Sequence, residues 1–290
     1  MSFNPLDYPM LLADPLHLPN HQAWIGHIPF AFALMQMARP DVLVELGVYQ
    51  GSSYCAFCQA VEHLGLPTRC FGIDTWRGDA HTGKVEDRIL EELRAHHDPR
   101  YRGFSTLLRT EFDTALPQFE DGSIDVLHID GLHTYDAVKH DFETWLPKLS
   151  DTGVVLLHDT TVRRDDFGVW RLWNEVSKRY SSFEFTHSYG LGVLAVGDKA
   201  PPAVLQFIET ARERPVYVQR MFSVLADRIY QETFLRRLAT FLDGTQSYLD
   251  NWRRHIGQTV EDSPIDAQRD LFGAAQRVSR DMQAIAAASR

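Results

Sequence analysis

From Asp41 to about Gly197 the chain alternates short β-branched runs with amphipathic stretches. That is the pattern of βαβ units, in which helices cross over a parallel sheet. The predicted strands are DVLVEL (41–46), RCFGID (69–74), FSTLLR (104–109), IDVLHI (124–129) and GVVLLH (153–158), followed by FEFTHS and LGVLAVG as a closing hairpin. Helices are predicted over 52–64, 86–96, 134–147 and 168–180. Within 134–147, Tyr135, Val138, Phe142 and Trp145 recur at helical spacing, which assigns Asp136, His140 and Asp141 to a solvated face. The expected fold is α/β, a seven-stranded, mainly parallel sheet with helices on both faces.

Two flanking regions read differently. HQAWIGHIPFAFALMQMARP reads as a helix packed across the sheet edge and ended by Pro40. Pro201-Pro202 breaks the chain downstream, where helices are expected near 202–213 and 215–241, then a polar segment 243–265 and a final helix 266–288. The expected organisation is an N-terminal helical segment (1–40), the sheet domain (41–198) and a helical C-terminal extension (199–290) suited to packing or self-association.

Composition narrows the function classes. Of 290 residues 44% are apolar and 23% charged, an ordinary globular balance. The 29 Lys and Arg against 39 Asp and Glu leave a net charge of −10, which argues against nucleic acid or an anionic membrane as main partner, since both demand a basic footprint. No run of about 18 apolar residues is present, and the N-terminus lacks a signal-peptide pattern, so no membrane insertion and a cytoplasmic location are expected. Cys55, Cys58 and Cys70 are too few for a disulfide framework. Cys55 and Cys58 form a CxxC inside an apolar helix, read as buried packing.

Chemistry concentrates at strand ends. VELGVYQGSS (44–53) follows the first strand and opens a helix, with Gly47 and Gly51 allowing a sharp turn and Ser52 a helix start. It is neither G-x-G-x-x-G nor a Walker loop, so no dinucleotide pyrophosphate or Walker-type phosphate site is indicated. Glu45 would repel a phosphate and welcome a cation such as the amino group of an amino acid. Asp74, ending the second strand in FGIDTW, can accept both hydroxyls of a ribose. The run HIDGLHTYDAVKHDF (128–142) places Asp130 and His133 in the loop after the fourth strand, where open α/β sheets bind ligands. Asp159 follows the fifth strand in LLHDT, so adjacent strands bring two carboxylates to one rim. Such a pair repels unless a cation or shared proton intervenes, and a divalent ion such as Mg or Mn answers that need.

In VELGVYQGSSYCAF, CFGIDTWRGD, DGSIDVLHIDGLHTYDAVKHDFETWLPKLSDTGVVLLHDT and FGVWRLWNE the chain resembles the class I S-adenosylmethionine-dependent methyltransferases, with a Rossmann-like fold. The resemblance covers roughly residues 22–197. It is nearest to a subgroup of macrolide sugar O-methyltransferases, cephalosporin-hydroxylase-like proteins and methyltransferase domains beside bacterial glycosyltransferases. It implies that Glu45, Gly47 and Gly51 line the methionine part of the cofactor, with Ser52 at the same loop. It implies that Asp74 holds the ribose and that Thr110 to Phe112 lie near the adenine; Trp76 is either a cofactor contact or a core cap. It also implies a metal at Asp130 with an acidic pair matching His158-Asp159, although here the first member of that pair is a histidine. His133 takes the place of a general base; the alternative is a helix cap. His158 is equally readable as a sheet-end histidine bonded to backbone.

The expected activity is O-methylation of a hydroxyl on a sugar or glycoconjugate precursor. His133 would act as base and Asp130/Asp159 as a metal or positioning pair. Two other classes stay open: a metal-dependent hydroxylase of the cephalosporin-hydroxylase-like type, and a non-catalytic scaffold for a glycosyltransferase. Expected partners are a small-molecule or glycan acceptor, a second copy through the C-terminal helices, and a glycosyltransferase.

Overall fold

A computed structural model describes residues 3–19, 23–81 and 83–259. Seven strands form one sheet: β1 (Val42–Leu46), β2 (Arg69–Asp74), β3 (Ser105–Arg109), β4 (Ile124–Ile129), β5 (Leu149–His158), β6 (Ser181–Phe185) and β7 (Leu191–Ala195). Their order is β3-β2-β1-β4-β5-β7-β6. The first five are parallel, and β7 pairs antiparallel with both β5 and β6. The seven-stranded, mainly parallel sheet matches the expectation, with β5 starting earlier, at Leu149.

The order in which the chain lays down its strands reverses between the parallel strands β1 and β4, which opens a crevice at their carboxyl ends. The backbone ladder holds the loops there: Gly47 N–H donates to Ile73 O (2.9 Å) and Asp130 N–H to Leu46 O (2.8 Å).

The helices of eight residues or more are α1 (Ile28–Ala38), α2 (Ser52–Leu64), α3 (Asp87–Tyr101), α4 (Tyr135–Trp145), α5 (Val169–Val176), α6 (Pro202–Glu213) and α7 (Pro215–Thr259). The central strands bury both faces and are correspondingly continuous in apolar residues. Alternate residues Leu43, Val126, Val154 and Leu156 join one buried cluster with α1, α2 and α6. Val44, Leu127, Val155 and Leu157 join the other, with Val138, Phe142 and Trp145 of α4 and Leu172 and Trp173 of α5. Trp145 is fully buried, and truncating such a side chain to Ala costs about 3–5 kcal/mol.

Two expectations are corrected. Helix α1 lies over a sheet face rather than across the edge. It is apolar almost all round, so only a fully covered position buries it, and Phe30, Phe32 and Leu34 are closed to solvent. It ends at left-handed Arg39, before Pro40. Helix α7 continues to Thr259, into the stretch expected to be polar, because residues 243–259 hold no proline and are rich in helix-tolerant side chains. The expected helix 266–288 lies outside the described residues.

The chain divides into two units, one ending at Glu232 and a second beginning at Thr233. The sheet, α1 to α6 and the start of α7 belong to the first. The described part of the second is the remainder of α7.

Candidate active site

The loop after β1 is fixed from several sides. Gly47 has φ 88°, and a Cβ there would stand 2.1 Å from the Asp130 carbonyl oxygen, so only glycine lets the β1 and β4 loops pass. Gly51, with φ 79°, caps α2; a Cβ would meet Leu93 Cδ1 at 2.5 Å. Asp74 accepts backbone N–H bonds from Val48 (3.0 Å), Tyr49 (2.8 Å) and Trp76 (2.6 Å). Trp76 is 1% exposed, and its indole N–H donates to Tyr49 O (2.8 Å). Asp74 and Trp76 therefore lock the loop, and three of the four acceptor positions on the Asp74 carboxylate are already used. Thr110 N–H donates to Asp74 O (3.0 Å), and the Phe112 ring lies against Gly131, where a Cβ would stand 2.7 Å from Phe112 Cε2.

Beneath this loop runs a closed polar seam. Glu45 on β1 is in register with His128 on β4, and both are fully buried. Ser53 Oγ donates to Glu45 Oε1 (2.7 Å), His128 Nδ1 lies 3.0 Å from Glu45 Oε2, and Trp24 Nε1–H donates to His128 Nε2 (3.1 Å). Indole nitrogen only donates, so His128 carries its proton on Nδ1 and gives it to Glu45. Burial pushes the Glu45 carboxyl up, against the opposing charge and hydrogen bond of His128. Glu45 thus sits below the loop, reaching it through Ser53.

At the wall of the cleft four titratable side chains converge. His133 Nε2 lies 2.9 Å from Asp159 Oδ2 and 3.5 Å from Asp130 Oδ1. His158 Nδ1 lies 3.2 Å from Asp130 Oδ1 and 3.4 Å from Asp159 Oδ2. The other nitrogen of His158, Nε2, donates to Ser188 O (3.1 Å). With Nε2 protonated, Nδ1 faces two carboxylates favourably only as an imidazolium or as a metal ligand. Burial disfavours charge on His133, but hydrogen bonds and charges from Asp130 and Asp159 prevail and raise it to about 9. Burial likewise opposes His158, whose value is nonetheless raised well above the usual range by the same two carboxylates. Asp159 falls to about 2, its burial outweighed by the charge of His158 and hydrogen bonds from both imidazoles.

His133 is held by a second set of groups. Its Nδ1 lies 3.2 Å from His81 Nδ1, and His81 Nε2 lies 2.7 Å from exposed Asp166. Gly168 N–H donates to His133 O (2.7 Å), which brings the Phe167 ring parallel to the imidazole at 4.7 Å and 5°. The resulting cleft has a volume of about 330 Å³ and is lined by Gly47, Ser52, Asp130, His133, His158 and Asp159, with Tyr49, His81 and Phe167 among the others.

The donor atoms of Asp130, His133 and Asp159 all lie within 4.8 Å of one another. Two carboxylates and an imidazole at that spacing fit a divalent ion of the magnesium-to-zinc range. The expected set of Asp130, Asp159 and His158 is brought together, and His133 joins it.

Sequence periodicity misplaced one residue: Asp141 is buried, at 7% exposure, rather than solvated. It follows His140 on the helix but turns inward beside Gly131, and burial raises its carboxyl to about 7. Asp136 and His140 are exposed as expected, and His140 pairs with Asp113 at 3.0 Å. All three cysteines are free and buried. His81, Phe167 and the Ser188 carbonyl were not foreseen. They sit in loops without periodicity, and the one available signal was the turn-rich GDAHTG after the second strand.

Residues 44–160 match a family model described as a methyltransferase domain. The uncharacterized protein y4gI of Sinorhizobium fredii is 47% identical over 186 residues, 64% of this chain and 20% of that protein. The chain thus spans about a fifth of the length of that relative. Among solved structures, the O-methyltransferase TomG from Streptomyces achromogenes, in complex with SAM, is similar at TM-score 0.44 and 15% identity, over 63% of this chain and 92% of that one. A methyltransferase from Geobacter sulfurreducens is similar at TM-score 0.43 and 16% identity, over 61% and 80%.

Proposed function

We propose that residues 44–160, which match the methyltransferase-domain model, form a class I, S-adenosylmethionine-dependent methyltransferase domain, and that the chain methylates a hydroxyl of a sugar or glycoconjugate precursor. The observation that carries the reading is the convergence of Asp130, His133, His158 and Asp159 on the cleft bounded by Gly47 and Ser52. The preference for a sugar rests on motif likeness alone.

Gly47, Gly51, Ser52 and the backbone between them would hold the methionine part of the cofactor. The remaining acceptor position of Asp74 would receive a ribose hydroxyl, with Thr110 and Phe112 on the adenine side. Glu45 acts from below, by fixing Ser53, and Trp76 acts by fixing Tyr49. The bound cofactor supplies a methyl group already activated on a sulfonium. Much of the acceleration therefore comes from alignment of the acceptor oxygen.

An alcohol attacks well only as its proton leaves, and His133, whose Nε2 faces Asp130 and Asp159, would be the group to take it once deprotonated. Its pKa near 9 makes it a strong base that is largely protonated at neutral pH, so turnover rises with pH toward that value. The opposite nitrogen faces His81, and His81 faces Asp166, which gives the proton a route to the surface. Asp130 and Asp159 orient the acceptor, directly or with an Mg or Mn ion that they and an imidazole would hold; such an ion would polarise the hydroxyl. The C-terminal extension would serve self-association or docking to a glycosyltransferase.

The test is methyl transfer from S-adenosylmethionine to a panel of activated sugars, with and without chelator, followed by mass spectrometry. Methylated sugar with stoichiometric S-adenosylhomocysteine is expected. Failure of every hydroxyl acceptor, alongside normal cofactor binding, would remove the sugar assignment.

A further inference from the structure

Away from the cleft, three soft or borderline donors meet from distant parts of the sequence. His17 belongs to the N-terminal segment, Cys55 to the first turns of α2 and His96 to α3, and their ligand atoms all lie within 4.8 Å of one another. We propose that His17, Cys55 and His96 form a metal site, separate from the cleft, that takes a zinc-type divalent ion and clips the N-terminal segment to α2 and α3.

The donor states suit an ion. His17 Nε2–H donates to Gln50 O (2.7 Å), which fixes the tautomer and leaves the free lone pair on Nδ1. A backbone carbonyl on the second nitrogen is how proteins orient metal-binding histidines. His96 Nε2 is buried and has no hydrogen-bond partner. A buried nitrogen without a partner is unfavourable, and a metal bond would satisfy it. The two rings lie 4.5 Å apart, centroid to centroid, tilted by 35°. Burial lowers both imidazoles, His96 to about 4, so both are neutral and able to ligate.

Cys55 is 1% exposed, and burial raises its thiol well above the usual range. The thiol stays protonated at neutral pH until a cation displaces the proton: the S–H bond breaks, a sulfur–metal bond forms, and the proton goes to buffer. Tetrahedral zinc, with about 2.3 Å to sulfur and 2.0–2.1 Å to nitrogen, sets donors roughly 3.3–3.6 Å apart. From separations of at most 4.8 Å, the three groups must close by no more than an ångström or so. A Cys-His-His set is too soft for magnesium or calcium and leaves a fourth position for water. The Arg100 guanidinium, which donates to His96 O (3.2 Å), adds positive charge nearby; the thiolate offsets part of the ion's own.

The clip would act on a segment already laid against α2. Gln59 accepts from Leu16 N–H (2.9 Å) and donates to Asp14 O (2.9 Å). Because His17 also holds the Gln50 carbonyl, the ion would stiffen the loop that borders the cleft.

Cobalt(II) is the probe that separates this site from the Asp130 group, which contains no sulfur. Cobalt is titrated into the full, chelator-stripped and reduced chain. A thiolate-to-cobalt charge-transfer band in the near ultraviolet is expected to saturate near one equivalent and to be displaced by zinc. The band should persist in Asp159→Asn and vanish in Cys55→Ser, with folding checked by circular dichroism. His96→Gln should weaken cobalt binding by about tenfold or more. Cobalt uptake without the sulfur band, no uptake at all, or a band undiminished in Cys55→Ser overturns the proposal.

Discussion

Two acid–histidine groups lie two residues apart along the same strand and its loop, yet they differ in how their valences are filled. In the Glu45–His128 seam each nitrogen and carboxylate oxygen has an assigned partner, from Trp24 through His128 to Glu45 and Ser53. Proton positions there are fixed by an indole that can only donate. In the Asp130–His133–His158–Asp159 group two imidazoles share two carboxylates at 2.9–3.5 Å, and protons can be redistributed among them. The same side chains make scaffold when saturated and buried, and a reactive wall when they converge in excess on a cleft.

The strongest way to break this comparison is His133→Ala. Turnover should fall by about 10²–10⁴-fold, with cofactor affinity little changed. Steady-state rates and calorimetry on one preparation check both halves. Next in size, Glu45→Ala should cost about 3–5 kcal/mol in urea unfolding, because it strands a buried donor and empties the seam. Glu45→Gln, whose amide can accept from His128 and donate to Ser53, should stay within about 1 kcal/mol. A large loss of cofactor affinity in Glu45→Gln, with stability intact, would move Glu45 from scaffold to ligand contact.

A smaller effect is set by pH. His133 has a folded value near 9 against 6.5 unfolded, so its stabilising contribution is full below about 6.5 and is lost as pH rises through 9. Chelated protein should lose on the order of 1–3 kcal/mol across that window in thermal melts, and His133→Gln should flatten the slope. Smallest is Asp141, raised to about 7 from 3.8, whose contribution disappears as pH rises through 7. Asp141→Asn should add on the order of 1 kcal/mol at pH 8 and nothing near pH 3.

The sheet was readable in advance because buried parallel strands advertise themselves as apolar runs between turn residues, and IDVLHI matches β4 residue for residue. Asp130, His133 and Asp159 were legible for a related reason, since strand ends dictate where loops meet. Side-chain orientation around a helix was less so: Asp141 falls on the polar side of the pattern, but the small Gly131 admits it inward. The Glu45–His128 pairing required strand register, and His17, Cys55 and His96 carry no common spacing. In each case the missing information was three-dimensional adjacency between distant segments.

The most direct test is S-adenosylhomocysteine titrated by calorimetry into the wild-type chain and into His133→Ala, both of which should bind it one-to-one with affinities within about threefold of each other. No binding heat in the wild-type chain, or binding abolished by His133→Ala, would contradict the proposed function.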